Sequence, residues 1–256
     1  MNPRVSIITV VFNGIDLIEK TIQNVLSQTY QNINYVIIDG GSTDGTVDVI
    51  KKYSDKIGFW SSGPDSGIYD AMNKGIDAAT GEYIWFINVG DEIYETTTLS
   101  KIISGTSIIA DVYYGHTQLI YPKGLVKKIA IPPNKLTWKS LAGGRGSIVL
   151  CHQSVIFKKA LVCHYDLTYQ FTSDHDWMIQ ALKKCKIIVN TQLVLSKYAL
   201  GGFTGKNNLQ CWKDRFKIVY KHYGFRFVVR TWFWFLLVFA KRALILFLND
   251  CRKISK

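Results

Sequence analysis

The chain has 256 residues, enough to bury one sizeable core, and its 48% hydrophobic, 20% charged composition is that of a folded protein rather than a disordered one. The formal charge of +12 raises nucleic acid or an anionic membrane as partners, and its placement matters more than its size. Residues 197–256 hold 13 Lys and Arg against two acids, Asp214 and Asp250, whereas the first 196 positions set 18 basic residues against 17 acidic ones.

The run Val5–Val11 is β-branched and apolar and predicts a strand. It follows the N-terminal Met1 too closely for a signal peptide and lacks a small-residue cleavage site, so no export is expected. Asn13 and Gly14 mark a turn. Asp16 with Glu19 three residues on resembles a capping box opening a helix to about Gln28, with Ile18, Ile22, Val25 and Leu26 on one face. A strand is expected at 35–38. Asp39, Gly40 and Gly41 then turn the chain sharply, and Ser42, Thr43 and Asp44 read as a helix cap before Val47, Ile50 and Lys51. A short strand is expected at Phe59–Ser62, a helix through Ile68, Met72, Ile76 and Ala79 stopped by Gly81, and a buried strand at 83–87.

This alternation predicts an α/β fold with a mostly parallel central sheet covered by helices on both faces. Ligands of such sheets bind beyond the carboxyl ends of the strands, where Asn13, Asp39 and Asn88 fall. Residues 106–131 and 147–158 read as strands and loops, with Pro132-Pro133 and the glycines of 143–146 bracketing a mobile loop. The helix opened by 173–177, Ser-Asp-His-Asp-Trp, carries acids in its first turn, where the helix dipole favours negative charge. The five cysteines, Cys151, Cys163, Cys185, Cys211 and Cys251, never form a Cys-x-x-Cys pair and read as reduced cytosolic thiols. Neither G-x-G-x-x-G nor G-x-x-x-x-G-K-[ST] is present, which argues against a dinucleotide dehydrogenase or a P-loop NTPase.

In order and spacing, "SIITVVFNG", "VIIDGGSTDGT", "SSGPDSGIYDAMNKGIDAATGEYIWFINVGDEIY", "CHQSVIF", "TSDHDW" and "GGFTG" resemble the inverting family 2 glycosyltransferases of GT-A fold, particularly bacterial members that build surface polysaccharide, over about residues 3–205. The resemblance implies a catalytic domain at 1–205, with a Rossmann-like nucleotide-sugar-binding half to about 105 and an acceptor half from 106, followed by a basic, aromatic helical tail at 206–256.

It also implies roles for particular residues. Thr9, Asn13, Asp39, Asp65, Lys74 and Asn88 would face the nucleotide sugar, with Asp39 on the nucleobase and Asn73 near the donor. Relatives commonly carry a second aspartate where this chain has Gly40. Many relatives also carry Asp-x-Asp-Asp where this chain reads Asn88-Val89-Gly90-Asp91, so a Mg or Mn ion would rest on Asp91, the Asn88 carbonyl and the donor's diphosphate. Asp174 would be the general base that deprotonates the acceptor. His152, Gln153 and Asp176 would contact donor or acceptor sugar, and the loop 201–205 with Lys206 would close on the diphosphate. Blander readings stand beside these: Asp39 as a turn acid, Asp91 as a cap, Lys74 as a solvated helix residue, His152 as a buried hydrogen-bonded histidine.

Residues 225–248 are apolar and aromatic but broken by Arg226, Arg230, Lys241 and Arg242, too interrupted for the roughly 20 apolar residues of a spanning helix. An interfacial amphipathic helix on an anionic inner-membrane surface accounts for the charge better than nucleic acid does, and a terminal helix packed on the domain or on a second copy is the other reading. The expectation is a peripheral enzyme on the cytoplasmic face of the bacterial inner membrane. It would move a sugar, from UDP more than from GDP or dTDP, to a lipid-linked saccharide. A sugar nucleotidyltransferase and a non-catalytic membrane-bound assembly subunit are the alternatives.

Overall fold

Seven consecutive buried residues, Val5–Val11, form β1, the strand around which the nucleotide-side half is built. In the computed structural model, residues 2–106, 108–121, 128–142, 150–200 and 208–229 are described. β1 pairs in parallel with β2 (Ile33–Asp39) and β4 (Tyr83–Phe86), and β2 in turn with β3 (Phe59–Ser62). Their side chains alternate between two apolar layers, as the twofold repeat of a strand requires. Ile8, Val10, Val36, Ile38, Ile84 and Phe86 face α3 (Ile68–Ala78) and α5 (Ser173–Lys184). Ile7, Val11, Ile37, Tyr83 and Trp85 face α1 (Ile15–Leu26), α2 (Thr46–Lys52) and α4 (Thr98–Ser104).

Gly75 of α3 lets the helix lie directly on the sheet, since a β-carbon there would come within 2.5 Å of Ile8 Cγ2. The helix starts are set by tertiary contacts. The expected capping box at Asp16 and Glu19 does not form. Gly14 precedes α1, and Asp44, 29 residues away, accepts the Ile15 N–H at Oδ2 (3.0 Å) and the Thr46 N–H at Oδ1 (3.0 Å). One carboxylate of the Ser42, Thr43 and Asp44 cluster thus caps two helices.

The second half departs from a simple parallel repeat. The strands β5 (Glu92–Ile93), β6 (Val112–Ile120), β7 (Lys128–Ala130), β8 (Val155–Lys158) and β9 (Ile188–Ala199) extend the sheet in the order β3-β2-β1-β4-β8-β6-β9-β5, with β7 on β6. β8 runs antiparallel to both β4 and β6, while β6 and β9 are parallel. The sheet is α/β, curled and mostly parallel, flanked by helices.

α6 (Asn208–Tyr223) lies inside the segment expected as a tail, yet it packs on the body of the domain: Asp214, Ile218 and Val219 are buried, and Tyr223 stacks on Trp138 at 5.2 Å. Tyr220, Phe225 and Val229 are exposed. Among the described residues no helix is long and apolar enough to cross a membrane. The expected mobile loop at 143–146, the loop 201–205, Lys206 and the run from 230 onward lie outside the described residues.

Candidate active site at the carboxyl rim of the sheet

The parallel register aligns Val11 with Asp39 and Ile8 with Phe86, so the loops after β1, β2 and β4 leave the sheet side by side. Asn13, in the left-handed region at φ 48°, joins two of them. Its N–H donates to Ser42 Oγ (2.7 Å) and its Oδ1 accepts the Thr43 N–H (3.0 Å).

Asp39 is buried. Its Oδ2 accepts from the Gly41 and Ser42 N–H groups and from Ser62 Oγ at 2.6–3.0 Å, and its Oδ1 accepts from Ser42 Oγ. The carboxylate is therefore spent on its own loop and on β3. Asp65 stands beside it. A β-carbon at Gly40 would lie 3.1 Å from Asp65 Cγ and closer still to Oδ2, so the Asp65 carboxylate occupies the space that a side chain at position 40 would need. Asp65 Oδ1 accepts the Gly67 N–H (2.8 Å).

Several of the expected donor contacts are internal. Thr9 is fully buried, its hydroxyl donating to the Ile87 carbonyl (2.7 Å) beside Tyr35 Oη (3.1 Å), so it serves the sheet instead of facing a ligand. Asn73 exchanges hydrogen bonds with the backbone of Tyr165 at 2.7 and 3.1 Å, which pins α3 to the 160s segment. Lys74 is exposed and donates to the Pro64 carbonyl (3.2 Å) while pairing with Asp70 (3.1 Å), bracing the loop that carries Asp65.

After β4, the Asp91 N–H closes a turn onto the Asn88 carbonyl (2.9 Å), with Gly90 at φ 90°. Asp91 is buried and accepts from Gln153 Nε2 at Oδ2 (2.8 Å) and from the Ala199 N–H at Oδ1 (3.4 Å); burial pushes its carboxyl up to about 7, opposed by the Gln153 hydrogen bond. Asn88 Oδ1 is buried and accepts no hydrogen bond. An orphaned hard oxygen one turn from a carboxylate fits the ligand chemistry of a magnesium or manganese ion. Among the described residues no group of three His, Cys, Asp or Glu could hold a cation unaided.

The second half of the chain meets this rim through an aromatic wall. His152, buried and driven down to about 3, bonds Tyr165 Oη through Nε2 (2.7 Å) and stacks on Phe86 (4.9 Å). Tyr165 stacks on Tyr69 (5.5 Å) and Trp177 (5.0 Å). Both His152 and Gln153 are therefore wall and scaffold, not open sugar contacts.

Asp174, in the first turn of α5, is partly buried; its Oδ1 accepts the His175 N–H (2.8 Å) and the Tyr69 phenol hydrogen-bonds to it. Burial raises its carboxyl to about 6, opposed by those hydrogen bonds and by the Arg215 charge. Thr172, not Ser173, precedes α5, and Ser173 Oγ donates to the Asp166 carbonyl instead (2.8 Å). Asp176 faces away from any opening. It is fully buried, accepting from His222 Nε2 (2.6 Å), Lys221 Nζ (3.3 Å) and Gln180 Nε2 (2.6 Å). Tyr69, Tyr165 and Arg215 were not singled out in the sequence; for Tyr69 the signal was its place in "GIYDAMNKG", next to Asp65.

The site is thus continuous. Gly40 packs on Asp65, the Asp65 loop leads into α3 and Tyr69, Tyr69 meets Asp174, and Tyr165 and His152 connect that pair to Gln153 and Asp91.

Residues 6–163 match Glycosyl transferase family 2. An uncharacterized glycosyltransferase of Mycobacterium tuberculosis H37Rv is 32% identical over 192 residues, covering 72% of this chain and 71% of its own. A PGL/p-HBAD biosynthesis glycosyltransferase of Mycobacterium bovis BCG is 27% identical over 205 residues, covering 77% of each. Among solved structures, Staphylococcus aureus TarS 1-349 in complex with UDP-GlcNAc superposes with a TM-score of 0.61 at 16% identity over 78% of this chain. The mannosyltransferase PcManGT of Pyrobaculum calidifontis, in complex with GDP-Man and Mn2+, superposes with 0.62 at 15% over 85%. The chain spans 59% and 64% of those two structures. The fold is of GT-A type, and with 158 consecutive residues matched the chain belongs to glycosyl transferase family 2.

Proposed function

We propose that this glycosyltransferase takes one sugar from a nucleoside-diphosphate donor and attaches it, with inversion, to a hydroxyl of a lipid-linked saccharide in bacterial surface polysaccharide biosynthesis. What supports this reading is the place of Asp174: a partly buried aspartate in the first turn of α5, joined to the rim through Tyr69, its Oδ1 on the His175 N–H (2.8 Å) and its carboxyl raised by burial to about 6. A base of that strength matches the proton-transfer task better than an ordinary solvated aspartate does.

Donor loops after β1, β2 and β3 would hold the nucleotide, with Asn13 exposed and Asp65 partly open. UDP is the favoured base carrier. TarS has been solved with UDP-GlcNAc, although PcManGT holds GDP-Man. The acceptor hydroxyl would approach the face of the sugar opposite the diphosphate and lose its proton to Asp174 as the new bond forms. Direct displacement from that side inverts the anomeric centre. Asn88 and Asp91 would contribute to holding a divalent cation, which supplies positive charge to the departing diphosphate. Exposed Tyr220, Phe225 and Val229 beside the basic residues of α6 support attachment to the cytoplasmic face of an anionic inner membrane, where aromatic side chains enter the headgroup boundary.

A panel of UDP-, GDP- and dTDP-sugars with and without manganese, read by thermal shift and by product analysis, tests the reading. Release of a nucleoside diphosphate with a UDP-sugar is the expected result. Release of pyrophosphate from a nucleoside triphosphate and sugar phosphate would replace it with a nucleotidyltransferase, and no turnover of any donor would leave a non-catalytic assembly subunit.

A further inference from the structure

The outer face of the β6–β7 hairpin is apolar where a solvated sheet face would be polar. Among the described residues β7 pairs with β6 alone, in the antiparallel register Thr117 with Ala130, Gln118 with Ile129 and Leu119 with Lys128. Thr117 and Leu119 are buried, so alternation turns Gln118, Ile129 and, two residues on, Ile131 to the outside. Ile129 is 43% exposed and Ile131 68%, and Tyr121, just past the end of β6, is 38% exposed. An antiparallel sheet with one wet face puts polar residues there. Lys128 guards the open edge of β7 against pairing with another strand, but edge protection gains nothing from two outward isoleucines.

The hairpin leaves the sheet at the candidate site. β8 is antiparallel to both β4 and β6, so β6 runs with β4 and its end lies at the carboxyl rim. Ile120 stands opposite Ala199 and its carbonyl accepts the Leu200 N–H (2.8 Å), while the Ala199 N–H donates to Asp91 Oδ1 (3.4 Å). Residues 112–157 hold six Lys and Arg and no Asp or Glu, a one-sided stretch concealed in the near neutrality of the first 196 positions. Lys128, Lys135 and Lys139 are exposed. Outward apolar side chains accompanied by cations and free of acids match a bilayer surface of anionic lipid. The isoleucines and the tyrosine enter the headgroup boundary, and the lysines meet the lipid phosphates. A second copy would bring the same cations face to face, which opposes pairing through this surface.

We propose that the β6–β7 hairpin is a membrane-docking element, in which Tyr121, Ile129 and Ile131 insert into an anionic lipid surface and Lys128 and Lys135 hold it there, setting the carboxyl rim against the bilayer. This rests on the reading of a peripheral enzyme with a lipid-linked acceptor, and it adds a contact separate from α6. Attachment through α6 alone would keep the protein near lipid; a contact beside Asp91 also points the rim at it.

The test is co-sedimentation of the full-length chain with vesicles of equal parts phosphatidylcholine and phosphatidylglycerol, and with phosphatidylcholine alone. The unaltered protein should bind the anionic vesicles, and Ile129→Ser combined with Ile131→Ser should weaken that binding roughly tenfold through lost apolar insertion. Lys128→Gln and Lys135→Gln should each weaken it about fivefold at low salt, and less at high salt. Ile108→Ser combined with Ile109→Ser is the control: these isoleucines are comparably exposed but precede β6 at the opposite end of the sheet, and their loss should leave binding unchanged. Thermal melts of all the variants should match the unaltered protein, because every changed side chain is exposed. Hairpin variants that bind as well as the unaltered protein would overturn the proposal while leaving peripheral attachment standing. So would an equal loss in the Ile108 and Ile109 control, or a dimer that the hairpin isoleucine changes convert to monomer. An unaltered protein that ignores anionic vesicles would remove the membrane reading and the proposal with it.

Discussion

Gln153 donates from Nε2 to Asp91 Oδ2 at 2.8 Å, tying the turn before β8 to the turn after β4. Both side chains are buried, so truncating the donor leaves an acidic group without its partner. Gln153→Ala should cost roughly 1–3 kcal/mol of stability, and Gln153→Glu more, because it sets a second carboxyl against the first. Urea unfolding at pH 8 measures both, and an unchanged midpoint would show that the contact is not formed in solution.

Gly40 and Asp65 should behave as one unit. Gly40→Ala places a β-carbon against the Asp65 carboxylate and must displace it. We expect a loss of UDP affinity of about tenfold, equivalent to about 1.4 kcal/mol. In an Asp65→Ala background the same change should add little, because contacting residues are not additive. Calorimetric titration with UDP on the four proteins of the cycle gives the answer, and full additivity would separate the two residues.

Gly75→Ala tests the close approach of α3 to β1. The new methyl meets Ile8 Cγ2, and overpacking of this kind costs about 1–3 kcal/mol. Ile8→Ala removes the clashing Cγ2, so Gly75→Ala combined with Ile8→Ala should cost less than the sum of the two single changes in the same unfolding assay.

Strands β1, β2 and β4 were legible because each is an apolar run bounded by turn residues, and β3, Phe59–Ser62, was read from sequence at the bounds the fold gives it. The cap of α1 was not, because its acceptor, Asp44, comes from another loop, while Glu19 is drawn off to accept from the Tyr53 hydroxyl (2.9 Å). β9 went unread for a related reason. Most of Ile188–Ala199 is only half-buried, so no clean alternation of apolar and polar residues marks it as a strand.

In the site, the sequence identified the rim loops and the acids but could not say which acids were already spent. Asp39 and Asp176, like the hydroxyl of Thr9, are taken up by hydrogen bonds to partners 2 to 78 residues away, and chain proximity does not predict the distant ones. Arg215 was counted only as part of a basic tail, since nothing in its local pattern reveals that α6 folds back onto α5.

Transfer should fall as pH drops through about 6, where Asp174 takes up a proton and can no longer accept one. The Tyr69 hydrogen bond lowers that value, so Tyr69→Phe should move the acid limb of the kcat profile upward, toward neutrality. A limb that stays in place, or moves to lower pH, would mean that another group controls the profile.

The most direct measurement compares Asp174→Asn with the unaltered protein in two assays run on the same preparation: UDP-sugar binding by calorimetry and transfer by product release. If a carboxylate at the acceptor side of this rim does the proton chemistry, the variant binds donor as before and its turnover drops by at least the roughly 100-fold that general base catalysis contributes. Turnover within a few-fold of the unaltered protein would contradict that account.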